Sequence, residues 1–229
     1  MRRASTVCVI LFFGLVFASI AVNHIESLSL RPLASRYVEL VPNELGAPNV
    51  ITGILLNYRA FDTIGEVAVL FMVAAGVTLI LGQRQHRGVP APLQPPRPSS
   101  EIVQTATNIL APLISIFAIY IIMNGHLSAG GGFQGGAVLA SCLILYLLAD
   151  AQSQVDVKLL GLLESAAGVV FVLVGVAGLI FAGGFLDTRV LPSGQFGAFF
   201  SAGAIPVLSF LLGIKVGCEL SAILARFRV

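Results

Sequence analysis

Six ionisable residues sit where so apolar a chain would not be expected to carry them: Asp62, Glu66, His126, Glu164, Lys215 and Glu219. Each lies in or beside a long apolar run. An Asp or Lys at the centre of a bilayer costs roughly 2.5–3.5 kcal/mol on insertion scales, so such residues face partners or water and mark ion and proton routes. Arg59, Asp62 and Glu66 recur at i, i+3, i+7, on one helical face. At the start of a span, Arg59 and Asp62 suit an interfacial ion pair. Glu66 sits about 9 Å deeper at 1.5 Å of rise per residue, ahead of the apolar run from Val67 to Leu81. It can serve an ion or proton path, or a structural hydrogen bond to a neighbouring helix. Lys215 and Glu219 are spaced i, i+4, and Glu164 falls about two turns into the preceding apolar run. The three can meet at like depth on antiparallel neighbours, either as an ion pair locking two helices or as a site where a lysine changes partner or protonation as an ion passes. Removing one partner is costly on both readings, because it strands the other charge. His126 can titrate near neutral pH, or its ring can hydrogen-bond loop carbonyls.

Helices in a membrane must position these groups. Of 229 residues, 57% are hydrophobic and 10% charged, with no Trp; this predicts an all-α, polytopic integral membrane protein. A spanning helix needs about 20 mainly apolar residues, and about six segments qualify: 5–24, 60–82, 102–123, 133–150, 158–186 and 195–223. Arg2 and Arg3 ahead of the first run, with Ser19 and Ala21 at its end, can be read as a signal peptide; we take the segment as a retained anchor. Pro112 and Pro206 are expected to kink the third and sixth spans and free carbonyl groups. The stretch Val50–Tyr58 is amphipathic enough for a short interfacial helix.

Lysine and arginine placement gives the orientation. With the N-terminus inside, Arg2, Arg3, Arg84, Arg87, Arg97, Lys158, Arg226 and Arg228 fall on the cytoplasmic side, against Arg31, Arg36, Arg59 and Arg189 outside. Both termini are therefore expected in the cytoplasm, with the protein in the cell's inner (plasma) membrane. The net charge of +2 is too small and scattered for nucleic-acid binding. Cys8, Cys142 and Cys218 lie in apolar runs without a C-x-x-C pair, which argues against an iron–sulfur or zinc site and a disulfide framework. No cofactor or resident metal is expected in this chain. His126 and Ser128 have no acid or oxyanion device nearby, so an intramembrane serine protease is not indicated.

The run from Asn124 to Gly136, Asn-Gly-His-Leu-Ser-Ala-Gly-Gly-Gly-Phe-Gln-Gly-Gly, breaks the apolar pattern between two spans. Irregular backbone at membrane depth persists only where protein or water satisfies its polar groups, so this break is expected to be shielded from lipid. Its glycines permit positive φ and close helix approach. They are not a phosphate cradle, since no Gly-Lys-Ser/Thr follows. Residues 88–100, with Pro90, Pro92, Pro95, Pro96 and Pro98, read as an extended linker. It divides the chain into a two-span part, 1–87, and a four-span part, 101–229.

The break resembles the signature of the MnhB family, the B subunit of multisubunit Na+/H+ antiporters, with Ala129 where that family commonly has proline. Leu212-Gly213-Ile214-Lys215-Val216-Gly217 resembles that family's Gly-x-Lys-Val stretch. The run from Asn49 through Glu66 is similar to the C-terminal portion of the antiporter's large MrpA subunit and to the small MbhE subunit of membrane-bound hydrogenases; the part from Glu101 is similar to MnhB and its hydrogenase counterpart MbhF. The resemblance implies a membrane subunit of a monovalent cation/proton antiporter, not itself an enzyme, contributing to translocation and assembly. Its implied partners are A-, C-, D-, E-, F- and G-like antiporter subunits, with Na+ passing transiently near Glu66. The alternative is an assembly subunit of a redox-driven, complex I-related hydrogenase, whose membrane subunits would then be its partners.

Overall fold

The computed structural model describes residues 2–24, 29–86, 99–150 and 155–227. Residues 88–98 of the expected linker, with Arg87 and Arg228, lie outside that set. The chain divides into two compact units, 1–36 and 37–229. The first contains α1 (Arg2–Val22), apolar from Thr6 to Val22. The boundary falls within α2 (Pro32–Leu40); then follow α3 (Val50–Gly53), α4 (Ala60–His86), α5 (Glu101–Met123), α6 (Gly132–Ala149), α7 (Val157–Phe181) and α8 (Ile205–Phe227). The fold is all-α, as expected. Among the described residues, α4 to α8 are each long and apolar enough to cross a membrane.

Local chemistry sets the helix starts. Ser100 caps α5, its hydroxyl accepting from Val103 N, and Asp156 caps α7, its carboxylate accepting from Lys158 N and Leu159 N. Two boundaries differ from expectation. The fifth span ends at Phe181, not 186, and the sixth begins at Ile205, not 195. The apolar composition of 182–204 conceals a folded loop whose backbone is held at positive φ at Gly183, Leu186, Gly194, Gly197, Ala202 and Gly203, where a helix cannot continue. Pro206 consequently occupies the first turn of α8, where its missing N–H costs nothing and no kink follows. Pro112 does lie inside α5; nearby, the Ala111 carbonyl accepts from Ser115 Oγ at 2.9 Å and from Cys142 Sγ at 3.2 Å.

Helix α8 is the axis of the second unit, with 72% of its most apolar window buried, and α4, α5, α6 and α7 all pack on it. Its contact with α6 is set by three glycines. A Cβ on Gly132 would fall 2.2 Å from Ser209 O, one on Gly136 2.8 Å from Gly213 O, and one on Gly217 3.1 Å from Leu139 Cδ2. Gly213 instead receives Ile122 of α5, 2.6 Å from where a Cβ would stand. Small residues four apart on both helices let the backbones approach closely, a packing on which membrane helices rely because burial from lipid supplies little drive. The pairing order shows that α6 runs parallel to α8. Thr78 near the end of α4 accepts from Arg226 near the end of α8, so α4 shares that direction; α5 and α7 run opposite. The starts of α4, α6 and α8 therefore gather at one end with three connecting segments: 41–59, which is mostly helical, the break at 124–131, and 182–204.

Replacing Gly132 by Ala forces a methyl into the Ser209 carbonyl, a backbone atom that cannot step aside. We expect a loss of about 1–3 kcal/mol, typical of overpacking, and a lower melting temperature of the detergent-solubilised protein. Gly161→Ala, where a Cβ meets nothing within 4 Å, should leave it unchanged or slightly raised.

Candidate functional site

The glycine break is satisfied by protein, and the residues that satisfy it come from far along the chain. Asn49 Nδ2 donates to Gly125 O and Ser128 O, both at 2.7 Å. Its backbone N–H donates to His126 O at 3.0 Å, and Thr52 Oγ1 donates to Gly125 O at 2.8 Å. Asn49 also caps α3, accepting from Thr52 N. The stretch expected to lie along the interface is thus helical but packed inward: Thr52, Gly53 and Leu56 are buried, and a Cβ on Gly53 would strike Val41 Cγ1 at 2.4 Å. Gly131, at φ +150, takes a conformation open in practice only to glycine, and its N–H bonds Ile121 O at 3.2 Å.

His126 is fully buried. Its Nε2 lies 3.1 Å from Phe199 O, while Nδ1 has no partner among the described residues. The ring therefore pins the break to the 182–204 loop. Burial holds its pKa below the ordinary histidine value, opposed by the carbonyl of Phe199. That loop is tied in turn to the N-terminal side: Thr188 N and Oγ1 donate to Asn57 Oδ1 at 2.9 and 3.0 Å. Arg189 grips Asp187 at 2.6 Å, and its hydrogen bonds hold the Asp187 carboxyl below its usual range. Tyr58 donates to Glu44 Oε2 at 2.7 Å; burial first, and then Glu44, push its phenol up to about 12.

The break also borders a cavity of about 280 Å³, walled by Gly130–Gly132 and Gln134 on one side and by Thr52, Thr63 and Glu66 on the other, with Ser209 and Leu212 of α8 beyond. Thr63 Oγ1 is committed to Leu55 O at 2.7 Å. Ser209 Oγ is buried without a partner among the described residues. Glu66 makes no hydrogen bond or ion pair among them and borders the cavity with its carboxylate uncommitted. Asp62, one turn earlier, is committed: Arg59 Nη2 is 2.6 Å from its Oδ2, with both side chains about half exposed.

The second constellation lies farther along α8. Lys215 Nζ is 2.7 Å from Glu164 Oε1 and 3.2 Å from Glu219 Oε2. Glu219 is fully buried, and its Oε1 has no hydrogen-bond partner among the described residues. The three residues meet as their spacing implied. A cavity of about 50 Å³, lined by Ile64, Val67, Phe171, Leu212 and Lys215, lies between the two constellations, sharing Leu212 with the first and Lys215 with the second. Asn49, Thr52, Asn57 and Ser209 were not anticipated as site residues. An Asn ahead of an apolar helix does signal a cap, but nothing local states that its amide reaches residues more than 70 positions away.

Residues 102–222 match the family described as a domain related to the MnhB subunit of Na+/H+ antiporter. The chain belongs to that family. Residues 1–99 match a second family, MbhE, described as the E subunit of MBH. The MnhB-related chain is 29% identical over 196 residues to an uncharacterised protein of Methanocaldococcus jannaschii, covering 76% of this chain and 74% of that one. It is 31% identical over 147 residues to a probable A/B subunit of a K+/H+ antiporter of Rhizobium meliloti, covering 56% of this chain and 15% of that one. To the B subunit of the Na+/H+ antiporter of Bacillus subtilis it is 38% identical over 81 residues, covering 35% and 51%. It thus spans about half or less of these two antiporter proteins. Among solved structures, it superposes on a chain of the membrane-bound sulfane sulfur reductase, an archaeal respiratory membrane complex, with TM-score 0.82 and 32% identity, covering 99% of this chain and 97% of that one. On a chain of the Mrp complex from Dietzia sp. the TM-score is 0.77 at 22% identity, covering 98% and 26%, a likeness of fold. The protein is a multi-pass membrane protein, and its structural neighbours are members of multisubunit complexes.

Two outcomes follow from this geometry. A histidine held below its ordinary value of 6.5 leaves the unfolded chain binding more protons as pH falls, so the stability the neutral ring supplies is complete above 6.5 and declines below it. Protection factors for amide exchange in 124–131 and 195–201, taken against the intrinsic rate at each pH, should fall between pH 7.5 and 5.5, and His126→Gln, which retains a donor for Phe199 O, should flatten that fall. Lys215→Met strands two carboxylates and should cost about 3–5 kcal/mol, seen as loss of assembled complex on native gels. The triple variant Glu164→Gln, Lys215→Met, Glu219→Gln should recover most of it.

Proposed function

We propose that this chain is a membrane subunit of a multisubunit monovalent cation/proton antiporter module, contributing to ion translocation and to assembly. The observation carrying the reading is Glu66, a carboxylate without a partner among the described residues, bordering a cavity with hydroxyl and amide groups on its walls. A carboxylate binds either a proton or a hard monovalent cation, and a site that cannot hold both at once exchanges one for the other. Thr52, Ser209 and Gln134 offer oxygen atoms to a cation that has shed water, the ligand class that suits such ions. Its relatives named for K+/H+ and Na+/H+ antiport support the class of transport and leave Na+ our choice. Glu164, Lys215 and Glu219 form the second place where charge can move, with Leu212 between the two; Asp62 and His126 flank the route.

The remaining parts of the proposal concern setting. Residues 1–87 act as an MbhE-like part and 101–229 as the MnhB-like part, joined by the proline-rich 88–100. Both termini face the cytoplasm of the cell's inner membrane, and the partners are A-, C-, D-, E-, F- and G-like subunits. A second reading, assembly subunit of a redox-driven complex, is favoured by the near end-to-end match to a chain of a respiratory membrane complex and by the match to the MbhE family. In that setting its partners are the complex's other membrane subunits.

Glu66→Gln should abolish Na+-dependent proton exchange in inverted vesicles holding the whole complex while leaving the complex intact on a native gel. Exchange at the wild-type rate in that variant would remove Glu66 from the route. Nickel or iron–sulfur absorbance in the purified complex would select the redox setting.

A further inference from the structure

Ser209, Leu212, Lys215 and Glu219 succeed one another along one stripe of α8 at steps of three, three and four residues. Ser209 lines the Glu66 cavity, Lys215 and Glu219 belong to the charged cluster, and Leu212, 4% exposed, stands between them. The rise from Ser209 to Lys215 is about 9 Å. The facing turn of α4 divides in the same way: Thr63 and Glu66 border the large cavity, and Ile64 and Val67 the small one of about 50 Å³. Leu212 borders both. Among the described residues that line the small cavity, Lys215 has the one polar side chain. Its stem lies against Gly168, where a Cβ would stand 3.7 Å from Cδ, and its Nζ is drawn to Glu164 and Glu219.

A proton moves only between groups within about 2.6–3.2 Å of each other or joined by a water, so the apolar wall at Leu212 isolates Glu66 from the cluster unless water crosses it. A cavity needs roughly 10–15 Å³ to admit a water, and that water needs two to four polar partners. By volume the small cavity takes a short file of waters; by its lining it does not keep them. We propose that Leu212 is a hydrophobic gate, and that protons pass between Glu66 and the Lys215 cluster only while water fills the cavity that this side chain closes. Apolar constrictions gate ion pathways by dewetting in the same way. In the wetted state a proton leaves the Glu66 carboxyl for the nearest water, and another leaves the far end of the file for the carboxylate of Glu164 or Glu219; no electron moves. In the emptied state Glu66 can exchange a proton for a cation in its own cavity without discharging the cluster. The inference rests on the reading of Glu66 as part of the route.

Two measurements on the whole complex in vesicles test the gate. Val67→Cys puts a thiol on the wall of the small cavity, and its reaction with a small water-soluble methanethiosulfonate, corrected for the parent chain with Cys8, Cys142 and Cys218, reports water there whatever Glu66 does. Adding Leu212→Ser should raise that rate at least tenfold. In the second measurement a pH gradient imposed without Na+ or K+ should collapse at least fivefold faster in Leu212→Ser than in the wild type, and Glu66→Gln in the same chain should abolish the excess. Equal thiol reactivity with Leu or Ser at 212, no excess proton flux, or an excess that survives Glu66→Gln would each overturn the proposal. Wild-type exchange in Glu66→Gln alone sinks the reading of Glu66 and this route with it, and is told apart from a failed gate because the thiol rates do not depend on it. Should Leu212→Ser not assemble on a native gel, Val67→Phe, which fills the cavity with a ring, should cut exchange at least fivefold in an intact complex; exchange at the wild-type rate there would overturn the gate.

Discussion

The close approach of α6 and α8 is the constraint on which the rest of this structure depends. Gly132 lies against Ser209 and Leu212, and Gly136 against Gly213 and Val216, so α6 puts no side chain of its own between the two backbones at these two positions. Three consequences follow. The break that opens α6 is drawn down against the start of α8, which places its glycines on the wall of the cavity bordered by Glu66. Ser209 becomes a polar group enclosed by α6, and so an element of that wall. Ile122 of α5 then fills the notch at Gly213, so three helices are registered by one row of missing side chains. Burial from lipid contributes little between such helices, and shape fit with internal hydrogen bonds carries the specificity.

A second layer of order is polar and lies at one end. Asn49 and Thr52 serve the carbonyls of the break, Asn57 serves Thr188 in the 182–204 loop, and His126 joins the break to that loop. Each of the three connecting segments thus bonds at least one of the other two, and the carbonyls of the irregular break find their partners in protein. The unpaired carboxylate of Glu66 borders this well-satisfied region without being used by it. Ser209 Oγ on the same cavity wall is likewise without a partner among the described residues.

Much of this was legible in the residues. Long apolar runs fixed α4 to α8 because spanning length is set by bilayer thickness. The i, i+4 spacing of Lys215 and Glu219 and the depth of Glu164 foretold the cluster, since charges at mid-membrane have few alternatives to one another. The glycine break announced that something must cover it. What covers it could not be read, because Asn49 and Thr52 act across a separation in sequence that leaves no periodic trace. Residues 182–204 misled for a different reason. Leu186 and Ala202 are apolar and passed as span, yet both adopt positive φ, a backbone state imposed by Gly-rich surroundings and by hydrogen bonds such as Ala204 N to Thr188 O and Ala202 N to Ser193 O. Pro206 was assigned a kink on the strength of the same misplaced boundary.

The amide of Asn49 belongs to the stretch matching one family and the carbonyls it holds to the stretch matching another, yet both are in one polypeptide. Covalent connection makes the encounter unimolecular. The ratio of the two parts is thereby fixed at one to one in every assembly that contains them, whatever the level of expression, and the knot at the loop end can form within the chain before any other subunit arrives. A variant of Asn49 keeps that ratio and loses side-chain hydrogen bonds that join the two parts.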